Sequence, residues 1–383
     1  MSEQEATDVA LKILHTADWH LGRRFSRFDP EQEQRLTRAR LDVIGRILDL
    51  AESRDVDAVL CAGDLFDGPT PPETWWRGLR GELDPRAWKR PLFLLPGNHD
   101  PLTPRSVWEP GHPFRLGLPD YVHVVDTDDF TYELGNGAVL HAAPCRSHAG
   151  QGDLTEKLPL REPGDDRIRV GLVHGQTFDI DGYQTNFPIA KDAAERRGLD
   201  YLAIGDTHSF RKVGQDAGAP TVYPGAPEAT AFDVGDAGYV ALVFFPRDRA
   251  RGAMVDRHRV ATWIWREETC RSVAALRELS LDDSLRKTVL RLRIDMDVSL
   301  KEFDEVERLL TELGGSLSAH PRVGVMEADR GGLRLADAGL GDFPEDLPEV
   351  LSSAVERLQE HAAQDPEKSA RALHHLYQLV EGS

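Results

Sequence analysis

At 383 residues, 40% hydrophobic and 29% charged, the chain has the composition of a soluble globular protein and is too long for one ordinary domain. A net charge of −19 argues against gripping nucleic acid alone by neutralising phosphates, and leaves room for a partner that supplies the grip. No apolar run reaches bilayer-spanning length, so no membrane partner is expected. Met1 to Ala10 is polar and acidic, which predicts no secretory leader. Cys61, Cys145 and Cys270 lie far apart with no CxxC pair, which suits a reducing, cytoplasmic setting better than a disulfide framework.

In chain order, residues 11–17 read as a strand leading into Asp18. A helix follows, with Asp29 as N-cap, Pro30 at the first helical position and Gln32 completing a capping box. Its apolar stripe, Leu41, Ile44, Leu48 and Ala51, has helical spacing and predicts a core-facing side. Val56 to Ala62 reads as a strand ending in Gly63-Asp64, and further strands are expected at 91–95, 168–173 and 201–204. From about 222 to 262 the pattern is strand-like, with GYVALVFF and HRVATWIW expected to close a sheet. Strands alternating with helices predict an α/β core over residues 1–262. Residues 263–337, with TVLRLRIDM, a helix near 300–313 and RVGVMEA, suit a small α+β accessory domain. Gly331 to Pro348 reads as a linker, and 338–383 as linker plus a helical segment broken near Asp365-Pro366, with Leu373, Leu376 and Leu379 on a partly apolar face.

The chemistry falls at strand ends. Asp18-Trp19-His20, Gly63-Asp64, Gly97-Asn98-His99, His174-Gly175 and Gly205-Asp206-Thr207-His208 each follow a predicted strand. Ligands of open α/β sheets gather at the carboxyl ends of strands, so these distant residues can meet. Carboxylate and amide oxygens with imidazoles suit hard-to-borderline divalent ions: Mn, Mg, Fe or Zn. Two such ions, roughly 3.5–4 Å apart, can clamp a phosphoryl displacement and activate a water as nucleophile. The glycines at 63, 97 and 205 are expected to permit the sharp turns. His15, His141, His148 and His258 have no partner pattern and read as packed or structural; Asp67 and Asp100 read as turn residues or orienters.

The segments ILHTADWHLG (13–22), AGDLFDGPTPP (62–72), LPGNHD (95–100) and YPGAPEATAFD (223–233) resemble the calcineurin-like metallophosphoesterases, and within them the SbcD- and YhaO-like DNA-repair nucleases. The resemblance covers residues 11–262 well. It implies a two-sheet sandwich flanked by helices, a small capping domain at 263–337, and C-terminal helices that dock an SbcC-like coiled-coil ATPase. It assigns Asp18, His20 and His208 to a first metal, Asp64 to the bridge, Asn98 and His174 to a second metal, and His99 to general-acid duty. Mn is the leading metal. Relatives of this kind also form homodimers. Where these nucleases carry Gly-His-x-His, this chain has Gly205-Asp206-Thr207-His208. Asp206 could ligate through oxygen, biasing the site toward Mn or Mg, or could leave the second metal weakly held.

A DNA nuclease, exo- or endonucleolytic, working in a repair complex is the leading reading. Arg23, Arg24 and Arg27 after the first ligand loop, and Arg211 and Lys212 after the last, could meet DNA phosphates. The alternatives are a phosphodiesterase or phosphatase for a small phosphoester, and a weakly catalytic scaffold that binds DNA or an ATPase. The helical segment at 349–380 fits a docking helix and a helix folded on its own domain equally well.

Overall fold

The computed structural model describes residues 9–84, 89–150, 152–177, 186–214, 218–314, 322–335, 343, 347–362 and 364–381. It divides into two compact units, residues 1–262 and 263–383.

The first unit runs β1 (Val9–Thr16), α1 (Pro30–Ser53), β2 (Ala58–Cys61), α2 (Glu73–Leu83), β3 (Leu92–Leu94), α3 (Pro113–Leu116), β4 (Val122–Val124), β5 (Phe130–Gly135), β6 (Ala138–Ala142), β7 (Ile168–His174), the two-residue strands β8 (Gln176–Thr177) and β9 (Pro188–Ile189), α4 (Ala193–Arg196), β10 (Tyr201–Gly205), β11 (Arg211–Val213), β12 (Thr221–Tyr223), β13 (Tyr239–Pro246) and β14 (Met254–Arg259). Two six-stranded sheets result, ordered β14-β13-β1-β2-β3-β4 and β11-β12-β10-β7-β6-β5. β1 to β4 are mutually parallel, as are β6, β7, β10 and β12, so the ligand-bearing strands of each sheet end on one side.

Three apolar layers hold this arrangement. Between the sheets lie Leu11, Ile13, Leu60 and Phe93 from one and Leu140, Leu172, Ala203 and Val222 from the other. Leu14, Val59, Cys61 and Leu94 pack outward on Ile44, Ile47 and Leu48 of α1 and on Trp76 and Leu79 of α2. Leu41, Ile44, Leu48 and Ala51 are all buried, so the sequence stripe is the face that packs. Asp29 caps α1, its carboxylate accepting from the Gln32 amide at 2.9 Å. The second sheet's outer face, Val173, Leu202 and Ile204, is covered mainly by loop residues such as Leu154 and Leu158 and by the single turn of α4.

His15 is packed between the sheets, its Nδ1 2.9 Å from the Tyr201 hydroxyl, as expected of a core histidine. Burial lowers its pKa from the ordinary 6.5 to about 3. The unfolded chain therefore takes up a proton at His15 that the folded chain refuses. Its contribution to stability is full above about pH 6.5 and is lost as the pH falls toward 3. Urea unfolding of chelator-treated protein should show a smaller loss between pH 7 and pH 5 in His15→Gln than in the wild type; equal losses would count against this assignment.

The second unit holds β15 (Ile264–Cys270), α5 (Val273–Leu279), β16 (Thr288–Val298), α6 (Leu300–Gly314), β17 (Val325–Leu335), α7 (Glu349–Ala362) and α8 (Pro366–Glu381). Its three parallel strands, ordered β15-β16-β17, bury Leu290, Leu292 and Ile294 against Leu276 of α5 and Phe303, Val306 and Leu310 of α6. Cross-strand pairs such as Arg291–Glu267 and Arg334–Asp297, both 2.6 Å, run over the more exposed residues.

Two sequence expectations change here. HRVATWIW is not one strand: β14 ends at Arg259, and the amides of Val260 and Ala261 both turn to the carbonyl of Gly238, just before β13 begins. With no partner strand beyond Gly238, Ile264 and Trp265 enter the second unit's sheet instead. Gly331 to Leu335 belongs to β17 rather than to a linker, and 336–342 and 344–346 lie outside the described residues. Leu373, Leu376 and Leu379 are buried unequally. Leu373 packs with Leu300, Phe343 and Val355, Leu376 lies at the edge of that cluster, and Leu379 is 70% exposed.

Candidate metal centre

Adjacent parallel strands bring their following loops side by side, and backbone bonds stitch these loops together. The Asp18 amide donates to the Gly63 carbonyl at 3.0 Å, His20 to Asp64 at 2.9 Å and Leu21 to Leu65 at 2.9 Å. The path is tight: Asp18, His20, Asp64 and Asp206 take φ of 56°, 44°, 54° and 99°. Left-handed backbone at non-glycine residues stores strain of order 1–3 kcal/mol each and clusters at functional sites.

The glycines serve this crowding unequally. Gly63 has φ +97° and does turn the chain, and a Cβ there would stand 2.3 Å from His174 Nδ1. Gly97 and Gly205 are needed for close approach rather than for turning. A Cβ on Gly97 would lie 2.2 Å from Asp64 Oδ1 and 2.3 Å from its amide nitrogen, and one on Gly205 would lie 2.1 Å from the Ala62 carbonyl. Gly97→Ala is therefore expected to destabilise the protein by about 1–3 kcal/mol and to displace Asp64. A thermal melt with and without Mn2+ checks this; an unchanged melt and unchanged metal response would contradict it.

Three groups of side chains bring ligand atoms within 4.8 Å of one another: Asp18, His20 and His208; His20, Asp64 and His99; Asp18, Asp64 and His174. Asp64 joins the groups, its Oδ2 lying 3.7 Å from His20 Nε2 and 3.6 Å from His174 Nε2. Asn98 Oδ1 lies 2.8 Å from His174 Nε2, and Asp206 Oδ1 lies 3.7 Å from the same atom. All eight residues expected from the sequence thus converge. Asp206 reaches in by its carboxylate while its amide donates to Asp18 Oδ1 at 3.0 Å.

The donor chemistry asks for a cation. His174 Nδ1 faces the Ala62 carbonyl at 2.7 Å, so that nitrogen carries a hydrogen. The ring's Nε2 then faces three oxygen acceptors, Asn98 Oδ1, Asp64 Oδ2 and Asp206 Oδ1, which together call for a positive charge between them. His20 Nε2 and His208 Nε2 face each other at 3.0 Å, while His20 Nδ1 is 3.3 Å from Asp67 Oδ1. Asp18 Oδ2 is buried without a hydrogen-bond partner. A divalent ion would satisfy these convergent donors together.

The electrostatics agree. Burial pushes Asp18 well above the usual carboxylate range, with Asp64 and Asp206 adding to it and His174 opposing. Burial would lower His174, but Asp64, Asp206 and Asp18 outweigh it and raise the imidazole to about 9. Burial holds His20 at about 3 and His208 at about 2, so both present neutral nitrogens.

His99 is 43% exposed at the site's mouth, its amide donating to Asp64 Oδ1 at 2.9 Å and its Nδ1 3.9 Å from Asp67 Oδ1. Asp67 is more than a turn residue: the same oxygen faces His20, His99 and, at 3.6 Å, Arg23. Asp100 is an orienter, fully buried and accepting from the Gly97 and Phe66 amides. Of the basic residues expected near phosphate, Arg24 pairs with Glu33 at 2.8 Å, and Arg211 lies exposed on β11. Lys212 donates to the Val255 carbonyl.

Several residues at the site were not singled out from the sequence. His148, expected to be structural, lies at the rim, its Nδ1 3.0 Å from the Asn98 carbonyl. Thr230 Oγ1 meets His208 Nδ1 at 2.9 Å. Arg40 is buried and donates to the carbonyls of Trp19, Glu228 and Ala229, tying the first ligand loop to the segment that carries Thr230. The visible hint was an arginine in register with Leu36 and Ile44 on the buried face of α1.

The family model for calcineurin-like phosphoesterases matches residues 11–210. The chain is 27% identical over 270 residues to the SbcD component of the nuclease SbcCD of Bacillus subtilis strain 168, covering 61% of this chain and 65% of that one. It is 25% identical over 245 residues to the uncharacterized metallophosphoesterase YhaO of the same organism, covering 60% and 56%. It is 38% identical over 151 residues to the SbcD component of the nuclease SbcCD of Rhodobacter capsulatus, covering 37% and 33%. In each case the match spans less than two thirds of the relative's own length. With the family model covering more than half its length, the chain belongs to the calcineurin-like phosphoesterase family.

Proposed function

We propose that this chain is a metal-dependent DNA nuclease, the catalytic half of a complex with an SbcC-like coiled-coil ATPase. The observation that carries the hydrolytic part is the convergence of Asn98, Asp64 and Asp206 oxygens on His174 Nε2, an anionic cluster whose charge a divalent cation would balance. The DNA part is supported by relatives named as the SbcD component of the nuclease SbcCD and as the DNA double-strand break repair protein Mre11 of Methanococcus maripaludis. A partner that binds DNA also reconciles the chemistry with a net charge of −19.

In this reading Asp18, His20 and His208 would hold one ion and Asn98, His174 and Asp206 the other, with Asp64 shared between the two sets; Mn2+ would be the leading choice. When bound, the ions supply charge neutralisation at the phosphate and activation of water. The chain's own residues do the rest. His99, free to meet solvent and substrate, gives a proton from Nε2 to the leaving oxygen, and Asp67 beside Nδ1 orients the ring. Arg23 and Arg24, with Arg211, receive flanking phosphates; exposed ion pairs such as Arg24–Glu33 are weak enough to exchange for them. Among the described residues no helix is long and apolar enough to cross a membrane.

A second reading, hydrolysis of a small phosphoester, is favoured by the engagement of Arg23 with Asp67 and Arg24 with Glu33. One experiment separates the two. The purified chain with Mn2+ is assayed on linear duplex DNA, single-stranded DNA and bis-p-nitrophenyl phosphate, with and without the ATPase. Asp64→Asn serves as the inactive control. DNA cleavage absent from the control is expected. Hydrolysis of the small ester but of no DNA, even with the ATPase, would sink the nuclease reading; inactivity on everything with metals bound would favour a scaffold.

A further inference from the structure

We infer that the two metal positions are chemically unequal and hold different ions: a nitrogen-preferring ion such as Zn2+ or Fe2+ at Asp18, His20 and His208, and a hard ion, Mn2+ or Mg2+, at Asn98, His174 and Asp206. The inference rests on the two-metal reading above but not on DNA as substrate.

The donor atoms divide sharply. On one side two imidazole nitrogens, His20 Nε2 and His208 Nε2, converge at 3.0 Å beside Asp18 and Asp64. On the other, His174 Nε2 is the one nitrogen among the assigned donors, facing Asn98 Oδ1 at 2.8 Å, Asp64 Oδ2 at 3.6 Å and Asp206 Oδ1 at 3.7 Å. Imidazole suits Zn, Cu, Fe and Ni, whereas carboxylate and carbonyl oxygens suit Mg, Ca and Mn. With histidine at 206 both sides would offer two imidazoles; aspartate makes them unlike.

The fixed charges follow the same division. The guanidinium groups of Arg40 and Arg23 both act on His20 and His208, with the Asp64 carboxylate opposing them at His20. The charges acting on His174 are instead the carboxylates of Asp64, Asp206 and Asp18. The nitrogen-rich side thus has guanidinium groups beside its carboxylates. The oxygen-rich side is anionic, which favours a hard dication. Asp206 is also placed for this role: its backbone is pinned by the bond to Asp18, and its side chain is hydrogen-bonded to Gln176.

The test uses the full chain, stripped with a chelator and titrated with Zn2+ and then Mn2+, with no substrate present. One equivalent of Zn2+ should survive gel filtration, and one Mn2+ should bind beside it with the paramagnetic resonance of an isolated ion. Asp206→Gly, which suits φ 99°, should weaken Mn2+ binding about tenfold or more while Zn2+ still binds. His208→Ala should do the reverse. Asp206→His should admit a second Zn2+ in place of Mn2+, and it decides the matter by zinc count if Asp206→Gly fails to fold by circular dichroism. Two equivalents of Zn2+ binding alike in the wild type, or unchanged Mn2+ affinity in folded Asp206→Gly, would overturn the inference. Because the titration involves no DNA, its failure and a failure of DNA cleavage are separate results.

Discussion

Asp64→Asn is expected to lose both bound ions and, with them, on the order of a thousandfold or more of the hydrolytic rate. The argument is geometric and electrostatic. Asp64 Oδ2 stands between His20 Nε2 and His174 Nε2, 3.7 Å from the first and 3.6 Å from the second. An ion clamp contributes several kcal/mol to phosphoryl displacement, and each 1.36 kcal/mol is tenfold in rate. Asparagine keeps an oxygen that can accept from the His99 amide and tolerates the left-handed backbone at this position, so the loop should hold its shape. The loss should appear in two ways. Metal content by mass spectrometry should fall, and the rise in melting temperature on adding Mn2+ should vanish, because a ligand stabilises only the state it binds. Retention of two tightly bound ions with normal turnover would remove Asp64 from the bridge.

His99→Ala is expected to behave differently. General-acid catalysis contributes about 10²- to 10⁴-fold, so turnover on DNA should fall by that order. Metal stoichiometry should stay at the wild-type value, because Asp64 still faces His20 and His174 without the His99 ring. On bis-p-nitrophenyl phosphate, whose leaving group departs without a proton, the loss should be far smaller. An equal loss on both substrates, or loss of metal, would assign His99 to ligation rather than to proton delivery. Its half-exposed ring, T-shaped against His20 at 4.8 Å between centroids, is the geometry behind this prediction.

Much of this site was legible because of where parallel strands end. The buried runs before Asp18, Asp64 and Asn98 are strands of one sheet, those before His174 and Asp206 strands of the other, and the strand-end rule gathers their ligands. What stayed hidden was carried by contacts that leave no periodic trace. Arg40 acts by donating to three backbone carbonyls, and His148 by meeting the Asn98 carbonyl; a carbonyl is the same at every residue. Short strands were hidden for another reason. β4, β11 and β12 have three residues each, too few for a period of two to declare itself. The boundary inside HRVATWIW was set by where β13 begins, which is a property of the neighbouring strand.

The left-handed backbone at Asp18, His20, Asp64 and Asp206 has an evolutionary corollary. Residues with a Cβ tolerate such angles poorly, but asparagine and glycine accept them. Aspartate becomes asparagine or glycine by one nucleotide change, and either replacement spares the turn while discarding a negative charge. Drift at these positions therefore runs first toward sequences that keep the sandwich and give up the ions. A lineage of this fold can lose its chemistry one carboxylate at a time and leave a well-folded pseudoenzyme behind.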